Sequence, residues 1–202
     1  MIGILSFLLI LNSCGNHNNK ISNDLYGTYT DSRDNKTYKT IIIGGQTWMA
    51  DNFAYKVNSG CWANNDNENN ATTYGYLYNW QTAKSICPTG WHLPSDEEWI
   101  TLLNCLGGED NAGSRLKSTS GWSSSNSANT SSGFAALPGG FRNKTGGYCD
   151  VGSNGYWWTS TWWGIMGYGG YDGRHISSNS NSAYRSPNIE EEGLSVRYIK
   201  DK

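Results

Sequence analysis

The chain has 202 residues, with 15 lysines and arginines against 17 aspartates and glutamates. This length suits one ordinary domain with a sizeable core, and the near-neutral balance excludes a strongly basic surface that would bind nucleic acid through its phosphates. Ten tryptophans, 13 tyrosines and 25 glycines, with only 16% charged residues, indicate a loop-rich protein packed around aromatic side chains.

The N-terminal residues carry the pattern of a secretion signal. Residues 1–11 form an uncharged apolar run that is too short to cross a bilayer but suits the hydrophobic part of a signal peptide. The sequence Leu11-Asn12-Ser13-Cys14 ends this run and is similar to a bacterial lipobox. We therefore expect a signal peptide over 1–13, acyl chains on Cys14, and an outer-membrane lipoprotein on the cell-surface or periplasmic face. The alternative is an ordinary signal peptide with a chance cysteine.

A polar segment follows the signal. Residues 15–35 are rich in Asn, Asp and Ser and have no apolar period, so we expect 14–36 to be a flexible tether that carries the lipidated cysteine. The folded domain is then expected over 37–202, outside the cytoplasm.

Four cysteines lie in the expected domain: Cys61, Cys87, Cys105 and Cys149. In an oxidising compartment they can form two disulfide bonds in any of three pairings, and buried free thiols are the alternative. A zinc site is the weakest interpretation, because no Cys-x-x-Cys motif or histidine pair accompanies these residues.

The first elements are a hairpin and two consecutive helices. A hairpin is expected over 38–49, because Gly44-Gly45 supplies the positive φ that a two-residue turn needs. Apolar residues recur at helical spacing over 77–87, which predicts a first helix. Ser95 and Glu98 form a capping box, which predicts that a second helix starts there and runs to the glycines at 107–108. Its buried stripe is Trp99, Leu102, Leu103 and Leu106.

The second half of the chain is expected to be irregular and β-rich. Apolar islands at 134–138, 155–163 and 194–199 are typical of short strands between long loops. In the last of these, apolar residues alternate with Ser195 and Arg197, which predicts a half-buried closing strand that returns to the first hairpin. The fold class is therefore α+β.

Seven blocks occur in the order seen in the Fibrobacter succinogenes major paralogous domain, which this chain resembles from about residue 37 to residue 202. The blocks are TWMADN at 47–52, YGYLYNW at 74–80, CPTGWHLPSDEEW at 87–99, LKSTSGW at 116–122, GFAALPGG at 133–140, GYWWTST at 155–161 and LSVRY at 194–198.

This resemblance implies a C-type-lectin-like or formylglycine-generating-enzyme-like fold, with two helices against a small, mostly antiparallel sheet with long irregular loops. Family members are mostly secreted or lipid-anchored bacterial surface proteins. Tyr198 stands where they usually carry a cysteine, so the bridge from Cys87 to the last strand that lectin-like analogy implies is impossible here. The calcium-site tripeptides of sugar-binding C-type lectins are also missing, which argues against classical calcium-dependent sugar binding.

The densest aromatic region is 155–172. Neighbouring side chains of a strand point to opposite faces, so we expect one residue of Trp157-Trp158 and one of Trp162-Trp163 to lie nearer solvent. Exposed aromatic faces stack on sugar rings or on a partner's side chains. The alternative is that loops bury these aromatics as core. The expected ligand-binding residues are Trp162, Trp163, Tyr168, Tyr171, Asp172 and Arg174.

Residues 64–70 offer many oxygen ligands, so Asp66 and Glu68 are weak calcium candidates. The segment lacks the glycine and the distal glutamate of an EF-hand, and a solvated polar loop is the alternative.

Catalysis is not expected. The dipole of the second helix explains Asp96 and Glu97 in its first turn, and His92 lies in a tight turn. Residues 117–120 are expected to be a polar loop.

These observations predict a lipid-anchored extracytoplasmic binding module, without a cofactor, that recognises a glycan or a surface protein through an aromatic, Gly-rich loop surface. A structural or adhesive surface component without a small ligand is the alternative. An enzyme like the formylglycine-generating relatives is less favoured, because its chemistry needs a specific cysteine pair and the four cysteines form no such motif.

Overall fold

The computed structural model describes the chain from residue 25 with two gaps. The described ranges are 25–124, 132–165 and 168–202, with no side chains described at 165 and 168. The signal peptide expected over 1–13 and the lipidation site Cys14 lie outside these residues, and so does the side chain of Tyr168. Among the helices that are described, none is long and apolar enough to cross a membrane.

The first sheet begins upstream of the expected domain. Strand β1 (Tyr26–Thr30) pairs antiparallel with β2 (Thr37–Ile43), and Tyr29 packs against Trp91 with 5.1 Å between ring centroids. The prediction that 14–36 is a tether is therefore wrong for residues 26–30, because a ladder and an aromatic contact fix them to the domain.

The predicted hairpin is confirmed. Strand β2 continues into β3 (Gln46–Met49) through Gly44 and Gly45, whose φ angles are 61° and 74°. Glycine adopts such positive angles without steric cost, so the Gly44-Gly45 pair favours this two-residue turn.

Among the described residues, four α-helices pack against the sheets, and two of them were predicted. Helix α2 (Trp80–Ser85) is shorter than expected, because Asn79 caps it through Thr82 N and the preceding Leu77–Tyr78 forms a strand. Helix α3 (Asp96–Cys105) has the expected capping box, with Ser95 and Glu98 bonded reciprocally. Its four predicted apolar residues are buried.

Helices α1 (Glu68–Tyr74) and α4 (Glu109–Leu116) were not predicted. Helix α1 buries only Ala71, and α4 buries only Ala112, Gly113 and Leu116, so neither carries a long apolar stripe. The expectation of a solvated loop over 64–70 is therefore wrong at both ends. Asn64–Asp66 form a short 3-10 helix in which Asn64 is buried, and α1 begins at residue 68, where Asn67 caps it through the N–H of residue 69.

The last strand returns to the first hairpin, as predicted, but of the strand expected over 194–199 only Ile199 lies in it, and Leu194 and Ser195 make isolated bridges instead. Strand β12 (Ile199–Lys200) lies between β3 and β6 (Trp91–His92), so the first sheet has the order β1-β2-β3-β12-β6. The residues before it are buried on both faces rather than half-buried. The reason is that this segment lies between two parts of the chain. The backbone of Ser195 bonds to the backbones of Tyr156 and Trp158 in β9, and the carbonyls of residues 196 and 198 accept from the N–H groups of residues 53 and 49.

A second sheet contains the aromatic region. Strands β9 (Asn154–Ile165), β10 (Tyr168–Ser177) and β11 (Ala183–Asn188) form an antiparallel sheet of order β11-β10-β9. Two two-stranded antiparallel sheets complete the described strands, pairing β4 (Cys61–Trp62) with β5 (Leu77–Tyr78) and β7 (Phe141–Arg142) with β8 (Tyr148–Cys149). Of the strand expected over 134–138, Ala136 makes one bridge to Lys117. The mixed helices and antiparallel sheets confirm the α+β class.

Strand β9 separates two apolar clusters. Trp158 packs in one cluster, with Tyr78 and Tyr198, and Trp157 packs in the other, with Trp48 and Trp99. Both indoles are 0% exposed. The prediction that Trp157 and Trp158 cannot both be core is therefore wrong, because the two faces of this strand are each covered.

Candidate binding surface

The β9–β10 hairpin leaves the body of the domain after Thr161. Near this point β9 is bonded to the body by Ser160 N, which donates to Pro94 O at 2.8 Å, and by the Thr161 hydroxyl, which accepts from Asp96 N at 2.8 Å. Beyond them, Trp162 and Trp163 are 57% and 49% exposed. We expected one residue of this pair near solvent, and both are.

Glycines in the opposite strand make room for the first of these rings. Trp162 lies opposite Tyr171 and Trp163 lies opposite Gly170. A Cβ on Gly169 would stand 2.4 Å from Cζ2 of the Trp162 indole, so any larger residue would displace that ring. The glycine-rich sequence of β10 therefore sets the position of Trp162.

Tyr171 connects the exposed Trp162 indole to the core. Its ring stacks on Trp80 with centroids 3.4 Å apart and planes 10° apart, and Trp162 meets it edge-on at 5.4 Å. Trp80 is itself buried and donates from Nε1 to Thr159 O at 2.9 Å. Trp162 and Tyr171 therefore share one face of the hairpin on a fixed base, whereas Trp163, the next residue of the strand, points to the other face. The largely exposed Trp162 and Trp163 and the partly exposed Tyr171 are together called the exposed aromatic surface below.

The predicted site residues Asp172 and Arg174 do not belong to this surface. Both are buried, and Arg174 is 0% exposed. Arg174 donates to Asp96 and to Glu109, with 2.5 Å between its Nη1 and Glu109 Oε1. Placing these two residues at a contact surface was wrong, because the side of β10 that carries Arg174 faces helices α3 and α4. Burial also raises the pKa of Asp172.

The aromatic surface is electrically neutral along the chain. No Asp, Glu, Lys or Arg occurs between Asp150 and Asp172. Residues 151–171 themselves therefore offer a ligand aromatic faces, hydroxyl groups and backbone. The charges near Tyr171 come from other elements: Lys84 Nζ lies 5.1 Å from the Trp80 ring centroid, and burial together with Glu190 raises the pKa of Tyr171. Sequence reasoning had missed this uncharged stretch, although it is visible in the sequence.

The two calcium candidates have separate partners. Asp66 accepts a hydrogen bond from the Tyr148 hydroxyl at 2.5 Å. Glu68 accepts from Lys56 Nζ and from the Tyr76 hydroxyl, both at 2.6 Å, and these hydrogen bonds lower its pKa. Within the described ranges, no group of three or more His, Cys, Asp or Glu residues is placed to hold a metal ion.

The expectation of two disulfide bonds is wrong, because Cys61, Cys87 and Cys149 are free thiols. Burial raises the pKa of Cys87 to about 12, and its Sγ donates to Trp91 O at 3.0 Å. Burial also raises the pKa of Cys61. These two thiols are therefore poor nucleophiles at neutral pH.

The expectation that residues 117–120 form a polar loop is wrong at residue 117. Lys117 is buried, and its Nζ donates to Ser180 O at 2.7 Å and lies 5.4 Å from the Trp122 ring centroid. Burial lowers the pKa of Lys117 to about 8. The amine ties the loop after α4 to the turn between β10 and β11.

His92 bridges two carboxylates near the C-terminus. Its Nε2 lies 2.9 Å from Glu98 Oε1, and its Nδ1 lies 2.7 Å from Asp201 Oδ1. The same Glu98 closes the capping box of α3. His92 therefore links Asp201 to the start of this helix.

The stability that His92 contributes is expected to fall as pH rises. Burial alone would lower the pKa of His92, but its hydrogen bonds to Glu98 and Asp201 outweigh burial and raise that pKa. Because the pKa of His92 is higher in the folded than in the unfolded chain, its protonated form stabilises the fold. This stabilisation is fully present below the unfolded pKa of about 6.5, and it is lost as the pH rises through the folded pKa. Urea titrations of the native chain and His92→Gln should therefore differ more at about pH 5.5 than at about pH 8.5. Equal differences at both pH values would contradict these ion pairs.

Comparison with known families gives one match. The family model described as Fibrobacter succinogenes major domain matches residues 41–200, which include all of β9, β10 and β11. Comparisons with curated proteins and with solved structures gave no match. The likeness to the C-type-lectin fold therefore stays a prediction from the resemblance.

Proposed function

Because the chain belongs to the Fibrobacter succinogenes major domain family, with the aromatic surface inside the matched region, we propose that it is a binding module and that it recognises a glycan. The proposal includes the anchor read from the sequence: lipidation at Cys14, and presentation outside the cytoplasm at the outer membrane. The module uses no cofactor and performs no catalysis.

The observation that carries the proposal is the contrast within β9. Trp157 and Trp158 are fully buried, whereas Trp162 and Trp163, a few residues further along the same strand, are about half exposed. Burying an indole stabilises a fold by about 1.5–3 kcal/mol or more, so two exposed indoles leave a large apolar area available for a ligand.

Three features favour a glycan over a charged partner. The exposed aromatic surface has no charged residue along its stretch of sequence, and its rings are flat faces that match the apolar faces of sugar rings. Tyr171 is fixed by its stack on Trp80, so little side-chain entropy is lost when a ligand binds to it. A polar rim is available from nearby hydroxyls, including Ser160 and Thr161.

The double variant Trp162→Ala/Trp163→Ala is expected to lose glycan binding. Removal of two stacking partners costs about 1–3 kcal/mol in total, so binding should weaken by about 5- to 150-fold. A glycan array probed with the full chain identifies the ligand, and calorimetry with that glycan measures the loss.

The matched control is Tyr184→Ala. Tyr184 is an exposed aromatic of the same sheet, on β11, and its substitution should leave the glycan affinity unchanged within about twofold. The proposal fails if the double variant folds and binds as the native chain does. A chain that binds no glycan on the array but adheres to cells or matrix would instead support the structural or adhesive alternative.

A further inference from the structure

A second candidate site lies away from the β9–β10 hairpin, where the first hairpin meets helix α1. It is a cleft of about 220 Å³, smaller than the pockets that hold drug-sized molecules. Residues that line it include Lys36, Asp51, Asn52, Thr72, Thr73 and Arg197. None of them belongs to the exposed aromatic surface.

Arg197 is a buried cation that lines this cleft. The residue is 1% exposed, and its guanidinium lies 4.2 Å from the Phe134 ring centroid. It donates from Nε to Asn52 Oδ1 at 2.9 Å, from Nη1 to Phe134 O, and from Nη2 to Ala135 O at 3.0 Å. All three acceptors are neutral, so within the described part of the chain no carboxylate balances this charge by contact.

The carboxylate that lines the cleft, Asp51, is hydrogen-bonded to another residue. Asp51 Oδ2 accepts from the backbone N–H of Lys39 at 2.7 Å and does not bond to Arg197. Burial lowers the pKa of Arg197 to about 9, with Asp51 only partly opposing this effect. A guanidinium has five N–H donors, of which three are used among the described residues. A buried cation without a counter-ion is unfavourable, and an anion beside it would relieve this cost.

The rest of the lining restricts the ligand. Lys36 adds a second cation at the partly exposed rim, and Thr72 and Thr73 present hydroxyls from the exposed end of helix α1. Ala135, whose carbonyl accepts from Arg197, has a φ of 50°, so the Arg197 hydrogen bonds hold a strained backbone beside the cleft. A cationic interior with hydroxyl groups at the rim suits a small molecule that carries both a carboxylate and hydroxyls.

From this geometry we propose that the cleft binds a hydroxylated carboxylate of monosaccharide size, such as a uronic acid, with its carboxylate toward Arg197 and Lys36. The site is independent of the aromatic surface and does not require that surface to bind a glycan.

Calorimetry of the full chain with glucuronate, glucose and inorganic phosphate tests this proposal. Glucuronate should bind saturably, whereas glucose lacks the carboxylate and phosphate lacks the sugar hydroxyls, so both should bind at least about tenfold more weakly. Absence of glucuronate binding, or glucose or phosphate binding equal to it, would overturn the proposal.

Two lysine variants locate the site. Lys36→Ala should weaken glucuronate binding about fivefold, because it removes a partly exposed cation that lines the cleft. Lys39→Ala is the matched control, since residue 39 is an exposed lysine of β2 that does not line the cleft, and it should change the affinity by less than about twofold. Equal effects of the two variants would indicate general charge attraction and contradict a defined site.

Arg197→Gln should abolish the binding if the variant folds. Because Arg197 is buried, amide NMR of the native chain provides a measurement that does not depend on that variant. Glucuronate should shift the signals of Thr73 and Ala135 and leave those of Trp162 and Trp163 unchanged. Shifts at the tryptophans alone would disprove the cleft and would be consistent with the aromatic surface.

Discussion

Replacement of Asp96 by alanine is expected to lower the free energy of unfolding by about 3–5 kcal/mol. Asp96 is buried and accepts from Arg174, which is fully buried, and its Oδ2 lies 2.5 Å from Nη2 of the exposed Arg185. Without Asp96, Arg174 keeps only the half-exposed Glu109, and a buried charge with too few partners destabilises a fold strongly. Urea unfolding followed by tryptophan fluorescence measures the change.

Glu97→Ala is the control for this experiment. Glu97 follows Asp96 in the first turn of α3 and interacts with the same helix dipole, but it is exposed. Its replacement should change the free energy of unfolding by less than about 1 kcal/mol. Similar losses for the two variants would show that the dipole, rather than the ion pair with Arg174, accounts for the stability.

Replacement of Trp157 by alanine is expected to lower the free energy of unfolding by about 3–5 kcal/mol. Trp157 is fully buried beside Trp99, with 6.4 Å between ring centroids, and its Nε1 donates to Asn52 Oδ1 at 2.9 Å. Truncation leaves a cavity in the second cluster and removes this hydrogen bond.

Trp162→Ala provides the comparison within the same strand. The Trp162 ring is more than half exposed, so its loss should change the free energy of unfolding by less than about 1 kcal/mol. Denaturant titration of both variants separates the two roles of tryptophan in β9. A loss at Trp162 as large as that at Trp157 would mean that the exposed ring is part of the core, and the aromatic surface would then be unavailable to a ligand.

Local signals predicted some elements accurately. The Gly44-Gly45 turn and the Ser95–Glu98 capping box depend on residues within four positions of each other, so their geometry could be derived from the sequence. The apolar stripe of α3 was correct for the same reason. Helices α1 and α4 were missed, because short helices that bury few apolar residues carry little periodicity.

The candidate site was predicted only in part. The sequence indicated the aromatic hairpin, and the structure exposes Trp162 and Trp163 there. It did not indicate that Asp172 and Arg174 are buried, because their burial depends on α3 and α4, which approach from residues 96 and 109. The cleft beside Arg197 was not predicted either, because its lining comes from segments more than a hundred residues apart.

The sequence by itself determined the α+β class, the first hairpin, the start of α3 and the family, since each depends on short-range chemistry or on ordered motifs. Only the tertiary structure decided which tryptophans of β9 are core and which are surface. Alternation along a strand places neighbouring side chains on opposite faces, but whether a face meets water depends on what packs against it. Both faces are covered at Trp157 and Trp158, and the hairpin projects beyond that cover at Trp162 and Trp163.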